Sequence, residues 1–314
     1  MRLIGIISSK PILKLHTITD HYKPLYTKKG DIMNDKIKAF IEDFKKIENK
    51  ETIRINLIPE TKTSLTSSNV AGWFYLPKTA NIPTTDRGEQ LMYLAQINCE
   101  ELPENSIYPV KGIMQFWIFG GDYNLGNDYR KPTSDSKKRV IYYPEIDEHF
   151  SEEELAELYK PQKDKKEDEL ITPINDGAPF AMSFEKTSQW IMPNDFRFEE
   201  VFLEKWNQNF PGKQIEEIYE MYDIDEEEVD EIMEALDISS HTQIGGYGHF
   251  TQEDPRMYDD FEDYTELLFQ LDSEFGTDDY YVLWGDCGVG NFFATKEQLR
   301  NLDFTECLYS WDCC

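Results

Sequence analysis

The chain has 314 residues, 39% of them hydrophobic and 14% aromatic, with 32 basic residues against 61 acidic ones for a formal net charge of −29. A chain of that length buries roughly three quarters of the surface its unfolded form exposes, and its charge repels nucleic-acid phosphates and anionic membranes while favouring basic partners. No run reaches the roughly 18 apolar residues of a membrane span, no secretory leader is recognisable, and Cys99, Cys287, Cys307, Cys313 and Cys314 form no C-x-x-C spacing, so a cytoplasmic protein with reduced thiols, no metal and no cofactor is expected.

Residues 1–32 are net basic and lack a sustained hydrophobic period. Lys28-Lys29-Gly30-Asp31-Ile32-Met33 can be encoded by a ribosome-binding site ahead of an ATG, so Met33 is expected to be the native start, with residues 1–32 a leader or a disordered arm. The stripe Ile37, Phe40, Ile41, Phe44, Ile47 then predicts an amphipathic helix over 35–49. Thr52–Ile58 alternates at period two and stops at Pro59, which predicts a strand; Leu91–Asn98, Gly112–Phe119 and Val140–Tyr143 follow as further strands. Ser151-Glu152-Glu153-Glu154 has the form of a capping box opening a short helix, and the charged stretch 162–169 reads as an exposed connector.

The second half starts with a strand near Pro179–Ser188. Ile215, Ile218, Tyr219 and Tyr222 form one helical stripe and Val229, Ile232, Met233 and Leu236 another, with Asp225 as the cap between them, so 213–237 reads as a helical hairpin. Strands follow at Leu267–Asp272, Tyr280–Asp286 and Gly290–Thr295. A second capping box at Thr295–Gln298 and a last strand near Leu308–Trp311 complete the chain.

A shift of 174 positions lays Asn69-Val70-Ala71-Gly72-Trp73 on Gln243-Ile244-Gly245-Gly246-Tyr247, and Leu94-Ala95-Gln96-Ile97-Asn98 on Leu268-Phe269-Gln270-Leu271-Asp272. After two extra residues, Gly112–Trp117 matches Gly288–Phe293, and Tyr142 answers Tyr309. Matches at a fixed offset predict two copies of one unit. The expected fold is therefore α+β: internally duplicated, mostly antiparallel sheet units with flanking helices, related by a pseudo-two-fold axis. The expected halves are 33–150 and 171–314, joined by the connector 151–170, with the hairpin 213–237 inserted in the second.

Residues two apart on a strand share a face, so Gln96 with Asn98 and Gln270 with Asp272 are the ligand candidates if the halves meet around one cleft; bonding of each glutamine to a neighbouring glycine turn is the favoured alternative. Gly285–Gly290 resembles a phosphate loop only superficially, because no Gly-Lys-Ser/Thr follows, and a turn is expected there. His241 and His249 with Glu253 and Asp254 match no metal-ligand spacing. Residues 214–237 hold twelve acidic residues and no basic one, and residues 251–280 hold eleven against the single Arg256. Such density disfavours a helix standing alone and suits a basic partner docking on Glu226, Glu227, Glu228 and Asp230.

The strings His241–Tyr247, Thr251–Arg256, Leu267–Asp272, Trp284–Phe292 and Trp311–Cys314, with Leu94–Pro103 in the first half, resemble the bacterial YwqG-like family over most of 33–314. The resemblance implies an α+β fold and, from the association of such proteins with secreted-toxin genes, an immunity-type role; it implies no catalytic residues. Two readings of function stand: an interaction protein whose acidic face binds a basic protein, and a small-molecule-binding protein or enzyme with its site in the cleft between the repeats.

Overall fold

The structure is a computed structural model that describes residues 34–59, 62–176, 179–222, 225–258, 261–277 and 279–313. The expectations for residues 1–32 and for Cys314 lie outside these. Ile37, Phe40, Ile41 and Phe44 all fall on the buried side of helix α1 (Asp35–Phe44), which Asn34 caps by accepting the Lys36 N–H; the expected helix therefore ends five residues early, in turns. Strand β1 (Lys50–Pro59) buries Ile53, Ile55 and Leu57 while Arg54, Asn56 and Ile58 stay exposed, the alternation that its sequence carries.

The remaining elements are β2 (Asn69–Val70), β3 (Met92–Asn98), β4 (Ile113–Ile118), β5 (Lys138–Tyr143), α2 (Glu152–Leu158), β6 (Phe180–Gln189), α3 (Phe198–Asn209), α4 (Tyr219–Tyr222), α5 (Glu226–Leu236), β7 (Gln243–Gly245), β8 (Glu266–Asp272), β9 (Glu274–Phe275), β10 (Tyr280–Val282), β11 (Val289–Ala294), α6 (Lys296–Asn301) and β12 (Leu308–Asp312). Both predicted capping boxes form, at Ser151/Glu154 and Thr295/Gln298, and Asp225 caps α5 as expected. The predicted strand Tyr280–Asp286 shrinks to β10, which pairs with β9 in a separate ribbon and bridges from Val282 to Ile174. Helix α3 has no counterpart in the sequence reading. Its buried Phe198, Phe202 and Trp206 recur at helical spacing, but Lys205, Asn207 and Asn209 break the contrast between its faces.

Ten strands form one antiparallel sheet in the order β12-β11-β8-β7-β1-β6-β2-β3-β4-β5. The two central strands exchange places relative to the chain: β1 pairs with β7 as well as with β6, and β6 pairs with β2. Ala95 and Ile97 point into the apolar interior and Gln96 and Asn98 alternate outward; Leu271 and Gln270 repeat the arrangement on β8. The sheet curls until its inner face meets itself. Phe116 of β4 stacks on Phe269 of β8 at 4.7 Å and lies 5.0 Å from Phe292 of β11. The loop between β4 and β5 closes the seam against β12, where the Tyr309 N–H donates to Pro132 O at 3.0 Å, the Tyr309 hydroxyl to Leu125 O at 2.9 Å, and the Trp311 indole to Asn124 O at 2.7 Å. The fold is α+β, a large, mostly antiparallel, nearly closed sheet with six helices among the described residues.

Register corrects one sequence equivalence. Phe116 pairs with Val140 and Phe292 with Tyr309, so under the offset that lays Phe116 on Phe292 the residue level with Tyr309 is Val140, and Tyr142 stands level with Trp311. The two aromatic side chains are both inward-facing and two residues apart, which is why the sequence alone confuses them.

Outside the barrel lie separate apolar layers. Phe74, Tyr93 and Trp117 lie at the centre of one, while α1, α3, α4 and α5 form the other through Phe40, Phe44, Phe202, Trp206, Ile232 and Leu236. Phe40 makes edge contacts with Phe202 and Trp206 at 5.6 and 5.5 Å, which ties α1 to α3.

Candidate functional site

Helix α5 buries Val229, Ile232, Met233 and Leu236 in the helical layer, and its opposite face therefore projects acidic side chains from a fixed scaffold. Glu226, Glu227, Asp230 and Glu234 are exposed; α3 adds exposed Glu199, Glu200 and Glu204. Glu228 differs from its predicted companions. It is half-buried and accepts a bond from the Lys213 ammonium at 3.4 Å. Glu226, Glu227, Asp230 and Glu234 make no side-chain ion pair among the described residues, so the negative charge they carry has no internal counterion there.

The second acidic segment is put to a different use. Asp254 is buried and clamps Arg256: the guanidinium Nε donates to Asp254 Oδ1 at 2.9 Å and Nη2 to Asp254 Oδ2 at 2.6 Å, while Nη2 also reaches Asp195 Oδ2 at 3.0 Å. Arg256 is 1% exposed and lies 4.3 Å from the Phe293 ring centroid. Asp195 also accepts from Arg197 Nε at 3.1 Å, and the Lys50 ammonium donates to Thr265 O at 2.7 Å beside the Tyr247 ring. Burial pulls Lys50 down to about 8, against the opposing effect of Glu266. A bidentate arginine between two buried carboxylates is a structural clamp in which every charge has a partner. The signal for it was in the sequence, since Arg256 is the lone base in a run of eleven acids.

The four predicted cleft residues are placed in two separate networks. Gln96 Oε1 accepts the Tyr75 N–H at 3.0 Å, and its Nε2 donates to Ser67 O at 2.8 Å and Leu65 O at 2.9 Å. Gln270 Oε1 accepts the His249 N–H at 2.7 Å and its Nε2 donates to His241 O at 2.8 Å. The Asn98 backbone N–H donates to Ser68 Oγ at 2.9 Å, and the Asp272 backbone N–H donates to Thr242 Oγ1 at 3.2 Å. Gln115 Nε2 donates to Tyr75 O at 2.6 Å as Asn291 Nδ2 donates to His249 O at 2.8 Å. Each glutamine thus anchors the loop above its own strand, and all four residues face away from the barrel interior. The structure does not bring Gln96 and Asn98 together with Gln270 and Asp272 in one cleft.

The two networks differ in their polar endings. Gln115 Oε1 accepts from the Trp117 indole at 3.1 Å, but Phe293 stands where a second tryptophan would be, and Asn291 Oδ1 is buried with no partner among the described residues. Asn98 donates from Nδ2 to Thr66 O at 2.9 Å; Asp272 has no such donor when ionised. Burial, and to a lesser degree Glu274, raises the Asp272 carboxyl to about 6 against bonds from Ser240 and the Ser273 N–H. Burial lowers His249 to about 4, so its imidazole is uncharged at neutral pH; the Asn194 amide meets its Nδ1 at 3.1 Å. Among the described residues no three His, Cys, Asp or Glu side chains are grouped to hold a metal ion, and no helix is long and apolar enough to cross a membrane.

Residues 68–313 match a family described as a domain of unknown function, DUF1963. The chain belongs to this family. The DUF1963 match takes in β2 to β12 and leaves out α1 and β1, although β1 occupies the middle of the sheet. No curated protein matches the chain.

Proposed function

We propose that this DUF1963 protein is a cytoplasmic interaction protein, of the YwqG-like kind and with an immunity-type role, that binds a basic protein through the acidic outer face of α5 and its neighbours. The observation that carries this reading is the arrangement of α5: its apolar stripe is consumed in the helical layer, while Glu226, Glu227 and Asp230 are held outward without internal counterions among the described residues. A rigid field of one sign raises the encounter rate with an oppositely charged partner more than it tightens the final complex. Exposed Glu262, Asp263 and Asp279 extend the acidic surface of the second segment, whereas Asp254 is committed to the Arg256 clamp. The test replaces Glu226, Glu227 and Asp230 by glutamine or asparagine and measures association with a partner recovered by pull-down at two ionic strengths. A slower association with a shallower salt dependence is expected; an unchanged rate and slope would show that these carboxylates only solvate the helix.

A ligand cleft between the halves ranks second, because the amides of Gln96, Asn98 and Gln270 already bond the loops beside them.

We also infer that the halves 33–150 and 171–314, joined by 151–170, are copies of one unit, with 213–237 inserted in the second. What supports this is the recurrence of the bonds made by Gln96 and Gln270 and by Asn98 and Asp272 at one sequence offset, and, beyond the two extra residues of the second half, by Gln115 and Asn291. Left-handed backbone at Ala71-Gly72 recurs at Gly245-Gly246. Aligning the two halves of many family members separately tests the inference, and profiles that fail to match at Gly72/Gly246 and Gln96/Gln270 would refute it.

A further inference from the structure

The turn between β10 and β11 holds one exposed thiol and is packed against another. The Gly288 N–H donates to Trp284 O at 2.7 Å, and left-handed φ of +52° at Gly285 and +71° at Cys287 turn the chain tightly enough to leave the Cys287 side chain on the surface. The end of the chain runs along this turn. A Cβ added to Gly285 would stand 2.5 Å from Cys313 Sγ, and one added to Gly288 would stand 2.8 Å from Cys313 Cβ. Glycine at both positions therefore lets half-buried Cys313 seat directly on the backbone that carries Cys287. Val289 pairs with Asp312 across β11 and β12, so Cys287 and Cys313 flank the same end of that pair, where a disulfide would need a Cα separation of roughly 4.4–6.8 Å.

The other described cysteines offer no such pairing. Cys99 and Cys307 are buried, and burial pushes both thiols up to about 12, which keeps them protonated and inert.

We propose that Cys287 and Cys313 are a redox-sensitive thiol pair that closes to a disulfide when a hydroperoxide is present. The Cys287 thiolate attacks the peroxide oxygen, the O–O bond breaks, and a sulfenic acid and one water form. The Cys313 thiolate then displaces the sulfenic oxygen as a second water, so two thiols lose two electrons and two protons to the peroxide. The product staples the last strand to the turn that precedes β11. That strand also carries the seam of the barrel, through the Trp311 indole on Asn124 O, while Asp312 Oδ2 holds the segment between β7 and β8 by accepting the Gln252 N–H at 2.8 Å. Oxidation therefore pins the end of β12 to the turn that opens β11, its neighbour in the sheet.

The experiment uses full-length protein carrying Cys314→Ser, treated folded with hydrogen peroxide, alkylated and analysed by intact mass and fragmentation. A loss of about 2 mass units, a cross-link between Cys287 and Cys313, and a rise in the thermal midpoint that dithiothreitol reverses are expected. The paired indoles of Trp284 and Trp311, 5.8 Å apart beside the turn, provide a fluorescence signal for the same step. The further change Cys287→Ser should abolish all three responses. Linkage to Cys99 or Cys307, overoxidation of Cys287 without a cross-link, or a preference of the unsubstituted protein for Cys314 over Cys313 would each overturn the proposal.

Discussion

The Tyr108 hydroxyl donates to the Leu268 carbonyl oxygen at 2.6 Å, joining the loop that follows β3 to β8 across the closed sheet. Both groups are buried, so the bond is shielded from water and the loop is held by more than its apolar contacts. Tyr108→Phe keeps the ring and removes only the donor. A loss of about 1–2 kcal/mol in urea unfolding is expected; a neutral result would mean that the carbonyl finds another donor.

Asp272 should make stability depend on pH with a defined sign. Its carboxyl titrates at about 6 in the folded protein, above the roughly 3.9 of an unfolded chain, so the folded state holds the proton more tightly and stability falls as pH rises through that window. Asp272→Asn supplies the amide donor that Asn98 already has and carries no charge to desolvate. The variant should be more stable than the parent above pH 7 by on the order of 1–2 kcal/mol, with the difference vanishing below about pH 4. Asp312, also raised to about 6 by burial, leaves a residual slope of the same sign in both proteins. Unfolding curves across this range that differ by a constant offset would exclude Asp272 as the source.

Arg256 holds two buried carboxylates, and deleting it should be among the costlier single substitutions in the chain. Arg256→Ala leaves Asp254 without its bidentate partner and Asp195 with Arg197 alone, for a loss of about 3–5 kcal/mol. Lys46→Ala is the contrasting control. Its pair with Asp43 is exposed on both sides, so thermal unfolding should not move measurably. Similar losses for the two variants would contradict the burial argument.

Gly246 sits where the chain needs both a left-handed backbone and the absence of a side chain. Its φ is +70°, and an added Cβ would stand 2.2 Å from Gln189 Oε1 and 2.3 Å from Thr52 Oγ1. Gln189 cannot easily yield, since its Oε1 also accepts the Tyr247 N–H and the Gln243 amide, both at 3.0 Å. Gly246→Ala should therefore cost more than about 2 kcal/mol. Ala71 already carries a methyl group at φ +57°, and Ala71→Gly should change stability by less than about 1 kcal/mol. Equal effects at the two sites would show that the steric conflict at Gly246 is relieved by movement of its neighbours.

Local pattern carried much of this fold. The burial of Ile37, Phe40, Ile41 and Phe44, the alternation along β1, both capping boxes and the Asp225 cap depend on residues within a few positions of one another, and all were legible. Strands β2 and β7 were not, because two or three residues carry too little period to be read, although the repeat strings marked their positions. Helix α3 was hidden by polar residues that interrupt its stripe. At the candidate surface, acidic density was visible; that Asp254 is turned inward was hinted at only by Arg256, the lone base of its segment, two residues on.

The sequence by itself determined the helices with strong stripes, the long strands and the caps, since each rests on side-chain period or on a fixed spacing along the chain. Only the tertiary structure decided that β1 lies between β7 and β6, that Tyr309 stands level with Val140, and that the polar positions of the two halves face outward into separate networks. Strand partners and register depend on contacts between residues up to about 190 positions apart, as between Ile53 and Ile244 or Tyr309 and Leu125, and no local period encodes them.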